Sequence, residues 1–407
     1  MARVLENVGK NLLKENGVPT PEFIVAETSE DARRAAEKIG CPVVIKALVT
    51  AGKRGKAGAV KFARNPDEAA KTAAEILAMT VYNFPVKRVL VERKLDISQE
   101  LYVSITYDPA KMAPVIITST AGGIDIEEIA ADRPEKILKY HVNMLKGFNL
   151  YEAKEIWSDL GLKGGVLQKA TTLLWRLYQL FVKYDCTVIE INPLALTADA
   201  ELIAAAILMG VDDDALYRQT YFAEKVEAGS DRAWRPLTVL EKKMIEVDKT
   251  EAYRGTARYT EMEGGNIGFF CGGGGGSLLS YDALLRFGGK PANYTEFGGN
   301  PPEAKVRGLV KGVLSKPGVK GFYMNLNITN NTQTDIVAKG IIGAFQDLNI
   351  DPEKFPAVLR LAGVHDAEAG RLCIEAGLEY HGDDITMEDT ARIIVAKMRK
   401  AFPEETD

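Results

Sequence analysis

The sequence predicts an α/β protein in two parts, a mixed α+β half followed by a doubly wound parallel sheet, and three observations carry that expectation. After Asn266 the chain repeats a strand-loop-helix unit: "NIGFFC" plus glycines plus helix, "VKGFYMNL" plus "NITNNTQTD" plus helix, "PAVLRLAG" plus helix, and "LEYHG" plus helix. The strands of these units are near-continuous apolar runs, as strands buried on both faces must be. Before Asp199, longer strands mix with amphipathic helices, and 407 residues exceed what one ordinary core holds.

The first helix, "VLENVGKNLLKENG", stops at Gly17 with Pro19 and Pro21 behind it, a glycine-then-proline stop. "FIVAET" reads as a strand, "SEDARRAAEKIG" as a helix capped by Ser29, and "PVVIKALV" as a buried strand. "KFARNPDEAAKTAAEIL" and the strand "VKRVLVERKL" close a small β/α unit over about residues 20–100. From Glu100 to Asp199 come the strands "LYVSITYD" and "APVIITST", the helix "QKATTLLWRLYQLFVKYD" and "CTVIEINPLALT". The stretch from Tyr217 to Gly265 is polar and reads as a connection, so the domains expected are 1–240, a linker over 241–265, and 266–407.

A formal charge of −5 argues against a general nucleic-acid or anionic-membrane binder, because phosphate contacts need a basic surface. Cys41, Cys186, Cys271 and Cys373 lie far apart with no CxxC pair, and read as reduced, packed thiols. Neither end carries a charged-then-apolar signal, and no run is long enough to span a membrane. The expectation is a soluble, cytoplasmic protein.

Five stretches carry chemistry. "AGKRGKAGAVKF" follows the strand holding Lys46 and sets Lys53, Arg54 and Lys56 among glycines; cations with approachable backbone suit polyphosphate, and a solvated basic hairpin tip is the alternative. It is not the P-loop pattern. In "VERKLDISQELYV", Glu92 and Glu100 flank a strand break, where they either accept from a ribose or adenine amino group or are surface charges. In "TVIEINPLALT", Glu190 and Asn192 share one face of a strand and Pro193 follows at once; such a pair on an interior strand calls for a metal, a cation or substrate, and on an edge strand's wet side for nothing. "CGGGGGSLL" puts glycines and Ser277 at a helix start, an anion site or a flexible linker. "NITNNTQTD" lies where a strand hands over to a helix, where open α/β sheets bind ligands; its three Asn and three Thr are donors for a ligand or ordinary capping. His141, His365 and His381 show no metal spacing and no triad partner.

With these stretches in order, the chain resembles the ATP-grasp (β-type) subunit of the superfamily of succinyl-CoA synthetase, citryl-CoA synthetase and ATP-citrate lyase, over nearly its whole length. "KALVTAGKRGKAGAVK", "VERKLDISQELYV", "ITSTAGGIDIE", "IEINPLALT", "DDDALYRQ", "GGKPANYTEFGG" and "DIVAKGIIGA" carry the likeness. It implies an ATP-grasp half and a flavodoxin-like CoA-ligase domain, with ATP, magnesium and coenzyme A as cofactor and co-substrates. It also implies a hetero-oligomer, since the partner's histidine motif is missing here. The division of labour it implies is that the nucleotide half phosphorylates a histidine on that α-type subunit, the phosphoryl group passes to a carboxylic acid, and CoA attacks the acyl phosphate. By position Lys46, Lys53, Arg54 and Gly55 match the phosphate loop, Glu92 and Glu100 nucleotide-binding acids, Glu190 the residue that meets the partner's histidine, and Asn192 a magnesium ligand. The family's second magnesium ligand, an Asp, is here Ala206, and Asp212 to Asp214 are the nearby carboxylates that would have to compensate.

The acid follows from the second half. Succinate-type relatives have a glycine-rich loop where this chain has "NITNNTQTD", whereas Asn330 and Thr332 fall on the citrate-binding Asn and Thr of ATP-citrate lyase. Ser277, Gly298 and Gly299 likewise resemble the lyase's substrate-contacting segments. Arg360 followed by Leu361 is the succinate-type pattern instead of two arginines. The resemblance thus implies a citryl-CoA synthetase large subunit or the ATP-grasp subunit of a two-chain ATP-citrate lyase. A succinyl-CoA or malyl-CoA synthetase subunit and a non-catalytic regulatory subunit are the alternatives.

Overall fold

A computed structural model describes residues 2–123, 134–222, 224–226 and 235–405. The chain divides into two units, Met1–Pro236 and Leu237–Asp407.

The first unit opens with a short strand, β1 (Ala2–Val4), and α1 (Glu6–Glu15). A small four-stranded sheet follows, built from β2 (Phe23–Ala26), β3 (Val43–Ala47), β4 (Val60–Ala63) and, after a two-stranded ribbon β5 (Thr80–Val81) and β6 (Phe84–Pro85), β7 (Val89–Arg93). Its order is β2-β7-β3-β4. Two helices, α2 (Ser29–Ile39) and α3 (Pro66–Leu77), pack on it through Ala32, Ala35, Ala36, Ala69 and Ala73, small residues that let helix and sheet approach closely. The cap of α2 is Thr28 rather than Ser29: Thr28 has the extended backbone and its hydroxyl accepts from the Asp31 N–H, while Ser29 is already helical.

A large sheet completes the unit with β8 (Ile97–Asp108), β9 (Ala113–Ser119) and β10 (Ile137–His141), then α4 (Leu150–Asp159) and α5 (Gly164–Lys183), then β11 (Cys186–Thr197), β12 (Leu202–Ala204) and β13 (Ile207–Val211). Its order is β1-β13-β11-β8-β9-β10, with β12 beside β11. The apolar stripes of α4 and α5, including the fully buried Trp157 and Leu177, close the core against it. The "CTVIEINPLALT" strand is therefore interior, with β8 on one side and β13 on the other.

The second unit begins where a linker was expected. Residues 241–265 instead carry most of α6 (Val239–Lys249) and all of β14 (Thr256–Glu261). Then come β15 (Ile267–Gly272), α7 (Gly274–Arg286), β16 (Asn293–Gly298), α8 (Glu303–Leu314), β17 (Gly321–Leu326), α9 (Thr334–Asp347), β18 (Ala357–Arg360), α10 (Asp366–Glu375), β19 (Tyr380–His381) and α11 (Met387–Ala401). The sheet order is β14-β16-β15-β17-β18-β19, parallel except for β14, which runs antiparallel along β16. Helix α6 docks through two glycine notches on α8: a methyl on Gly312 would fall 2.2 Å from Met244 Sδ, and one on Gly308 2.8 Å from Val247.

"NYTEFGG" is a strand, so "NITNNTQTD" lies at the third strand-to-helix crossing of this sheet and not the second. One face of the sheet packs Phe269, Tyr323 and Val358 on Ala283 of α7 and Ile394 of α11. The other packs Phe270, Phe322 and Leu359 on α8, α9 and α10. From β15 the chain moves outward to β16, and from β17 it moves the other way to β18, which puts the topological switch at the carboxyl ends of β15 and β17.

Candidate nucleotide and acid sites

In the first unit the site grows from β11. Ile189 and Ile191 are buried in the core, so the period of two turns Glu190 and Asn192 to the opposite face. Glu190 stands opposite Ser104 on β8 and Leu208 on β13. Tyr102 Oη donates to Glu190 Oε2 at 3.3 Å. Asn192 Oδ1 accepts from the Gly123 N–H at 2.7 Å. Gly123 has φ +76°, and a methyl there would come within 1.8 Å of Glu100 Oε2; only glycine lets this loop lie on Glu100 and Asn192 together. The rest of the "ITSTAGGIDIE" motif, from residue 124 on, lies outside the described residues.

The basic loop sits over the same place. A methyl on Gly52 would stand 3.6 Å from Leu208 Cδ1, beside Glu190 in the sheet. Lys46 is buried; its Nζ donates to the Ala205 carbonyl at 2.9 Å, pairs with Glu92, and reaches Glu6 at 3.4 Å. Arg54 pairs with Glu6 and donates to the Ala47 carbonyl at 2.8 Å. Lys53 and Gly55 lie in the exposed part of the loop.

Two members of this cluster carry no signal in the sequence motifs. Glu6 and Lys10 are both buried on α1, 2.9 Å apart, and Lys10 also pairs with Glu92 and donates to the Ala205 carbonyl at 2.8 Å. Burial pushes the Glu6 carboxyl up, but Arg54, Lys10 and Lys46 hold it well below the usual range. Burial draws the Lys10 ammonium down, whereas Glu6 and Glu92 carry that of Lys46 up in spite of burial. Glu92, expected to face a nucleotide, has its carboxylate committed to two ammonium groups. Glu100 stays at the glycine loop and outside this cluster.

A magnesium ion takes about six oxygens in near-octahedral geometry, usually with carboxylate among them. Ile191 pairs with Ile207, so Ala206 is the residue facing Asn192 across the sheet, and it brings no oxygen in its side chain. Asp212 to Asp214 do not compensate: they follow β13 at its far end, where Asp212 N–H bonds the Asp185 carbonyl, about 20 Å of extended chain from Ala206. Among the described residues no three His, Cys, Asp or Glu side chains stand together as a metal site. The side chains at Asn192 do not by themselves fit the ion.

In the second unit two helix N-termini converge on the switch point. Gly273 begins α7 and Gln333 begins α9, and neither makes a side-chain capping bond. The two loops touch, since a methyl on Gly276 would be 3.5 Å from Asn327 Cβ. Thr329 Oγ1 holds the turn by donating to the Thr332 carbonyl at 3.1 Å. Asn330 is exposed and its side chain makes no hydrogen bond among the described residues, while Thr332 is 4 % exposed. None of the Asn and Thr residues of "NITNNTQTD" ahead of Gln333 caps α9.

Gly298 ends β16 and Gly299 follows it, and the next residue, Asn300, was not singled out by sequence. Its Oδ1 accepts from the Gln333 N–H at 3.1 Å, tying the glycine turn to the start of α9. Arg360 is buried, donating to the Leu326 carbonyl at 2.5 Å and the Ile385 carbonyl at 2.8 Å. Ser277 is fully buried, with Oγ 2.6 Å from Tyr294 Oη and 2.8 Å from Glu296 Oε2; it braces the first turn of α7 from inside. The three histidines each face a carboxylate, His141 with Asp108, His365 with Asp335 and His381 with Glu379. Cys186, Cys271 and Cys373 are buried thiols and Cys41 is exposed.

Residues 3–196 match the family model described as ATP-grasp domain, and residues 235–368 the one described as ATP citrate lyase citrate-binding. The chain is 36% identical over 375 residues to the ADP-forming succinate–CoA ligase subunit beta of Methanothermobacter thermautotrophicus, spanning 92% of this chain and 94% of that one. It is 39% identical over 367 residues to the GDP-forming succinate–CoA ligase subunit beta of Thermus thermophilus, spanning 90% and 92%. In fold it is similar to ATP citrate lyase from Methanothrix soehngenii, solved in complex with citrate and coenzyme A, with a TM-score of 0.78 at 19% identity over 97% of this chain and 99% of that one.

Proposed function

The chain belongs to the succinate–CoA ligase subunit beta family within the ATP-grasp acid–CoA ligases, and from that premise we propose that it is the nucleotide-binding subunit of an ATP-dependent ligase whose acid is citrate. Lys46, Arg54 and the glycine loop take the phosphates of ATP. The γ-phosphoryl group moves to an imidazole nitrogen supplied by a partner subunit, and ADP leaves. Glu190, steadied by Tyr102, orients that imidazole and stabilises the charge it gains. The phosphoryl group then passes to a carboxylate oxygen of the acid, and the thiol of coenzyme A displaces phosphate from the acyl phosphate.

The observation that carries citrate over a slimmer acid is Asn330, exposed and unbonded among the described residues just ahead of α9, whose Gln333 and Thr334 N–H groups are already held by Asn300 Oδ1 and the Val364 carbonyl. Neutral donors of this kind suit a ligand with three carboxylates and a hydroxyl. A smaller acid leaves some of those polar groups unpaired, which is how such a site rejects it. The match of residues 235–368 to the citrate-binding family supports the same reading. Succinate is the second reading, favoured by relatives at 36% and 39% identity and by Arg360 being followed by Leu361. ADP formation by the complex with its partner, run with coenzyme A and citrate, succinate or malate, tests the choice. Citrate is expected to give the highest kcat/KM; a preference for succinate overturns the assignment.

A further inference from the structure

Resting on the nucleotide reading above, we infer that Glu6 and Lys10 of α1 form a charge exchange that sets the affinity for the polyphosphate. Glu6 is an internal competitor that occupies Lys46 and Arg54, and Lys10 is the cation that keeps the displaced carboxylate paired. In the structure the three donors of Lys46 are spent on Glu92, the Ala205 carbonyl and Glu6, and Arg54 turns two of its five N–H donors to Glu6 and the Ala47 carbonyl. A polyphosphate that bridges both cations takes the place of the carboxylate between them. Glu6 is 3% exposed, so releasing it without a partner would strand a buried charge, which is costly.

Lys10 removes that cost. Its Nζ is 2.9 Å from Glu6 Oε1, it also pairs with Glu92, and it is fully buried. When phosphate takes Lys46 and Arg54, both acids stay paired to Lys10. The five side chains, Glu6, Glu92, Lys10, Lys46 and Arg54, carry a net charge of +1 with all of them ionised. That surplus attracts the anion, and Lys10 supplies it. The cluster also joins α1, the small sheet at Lys46 and Glu92, and the large sheet at Ala205. The exchange therefore occurs where the two sheets of this unit meet.

A role limited to holding the fold and a role in charge exchange differ in sign. Calorimetric titration of ATP into wild type, Glu6→Gln, Lys10→Met and Lys10→Arg separates them, with thermal melts on the same samples. Charge exchange makes Glu6→Gln bind ATP tighter by about tenfold, since the competitor is gone. It makes Lys10→Met weaker by about tenfold or more, and brings Lys10→Arg back to within about threefold of wild type; tenfold corresponds to about 1.4 kcal/mol. ATP affinity unchanged or weakened in a folded Glu6→Gln overturns the inference, as does wild-type affinity in Lys10→Met. If Lys10→Met does not fold, the sign of the Glu6→Gln effect decides alone. A wild type that binds no ATP overturns the nucleotide reading itself, an outcome distinct from the rest.

Discussion

Asn330→Ala is the sharpest perturbation of the acid site. The side chain is exposed and bonded to nothing among the described residues, so its removal orphans no group and opens no cavity. Stability should stay within about 0.5 kcal/mol of wild type, a shift of about 1–2 °C in Tm. Alanine is preferable to glycine because it adds no backbone freedom to a loop that must hold its shape. Thr332, at 4% exposure, would mix lost packing with lost binding. If the Asn330 amide donates to a citrate carboxylate, a hydrogen bond to a charged group worth about 1.5–3 kcal/mol disappears. Half-saturation by citrate then rises by about tenfold to a hundredfold, while the ATP dependence stays flat because Lys46 and Arg54 belong to the other unit. The assay is steady-state ADP release by the complex, titrated with citrate at saturating ATP and coenzyme A. The same citrate half-saturation in both proteins would refute the donor role and return "NITNNTQTD" to turn chemistry.

Glu190→Gln should slow formation of the partner's phosphohistidine by about 10²–10³ with ATP affinity unchanged; unaltered single-turnover kinetics would remove Glu190 from the mechanism. Ala206→Asp places a carboxylate opposite Asn192 and should lower the magnesium concentration for half-maximal ATP binding by about tenfold or more; a wild type that binds ATP under no magnesium condition favours the non-catalytic alternative. Asp335 bears on acid stability. Burial pushes its carboxyl up, but Lys339 and His365 pull it below the ordinary value. A depressed acid gives stability that is full above the unfolded pKa of about 3.9 and is lost as pH falls through the folded one. Asp335→Asn should therefore lower Tm at pH 7, with the gap to wild type closing below about pH 4; a gap independent of pH would show that packing alone is involved.

The apolar strands of the second unit were legible because burial on both faces confines the polar residues of "GFYMNL" and "AVLR" to Asn325 and Arg360, near their carboxyl ends. Glu190 and Asn192 were legible for the opposite reason: polar residues at a period of two stand out in an apolar strand. Other features depend on contacts distant in sequence. "TARYTE" has the weak pattern of an edge strand, and only its pairing with β16 makes it one. Glu6 and Lys10 look like an ordinary surface i,i+4 pair, and their burial arises where two sheets close over α1. The distance from Asp212 to Ala206 required the register of β13, which no local pattern gives.

The docking of α6 and β14 has a consequence for how this chain can be cut, inherited and recombined. A fragment begun at Asn266, where the parallel repeats start, would leave the whole of β16 as an open edge, with Met244 and Val247 gone from their notches in α8. Such an edge is a template for pairing with other chains. A fragment begun at Leu237 keeps its own edge strand and its own covering helix, starting from the Thr238–Glu241 capping box. The natural joint for gene fusion or fission in this region therefore falls just before Leu237, and insertions tolerated there should become aggregation-prone when moved some thirty residues downstream, past β14.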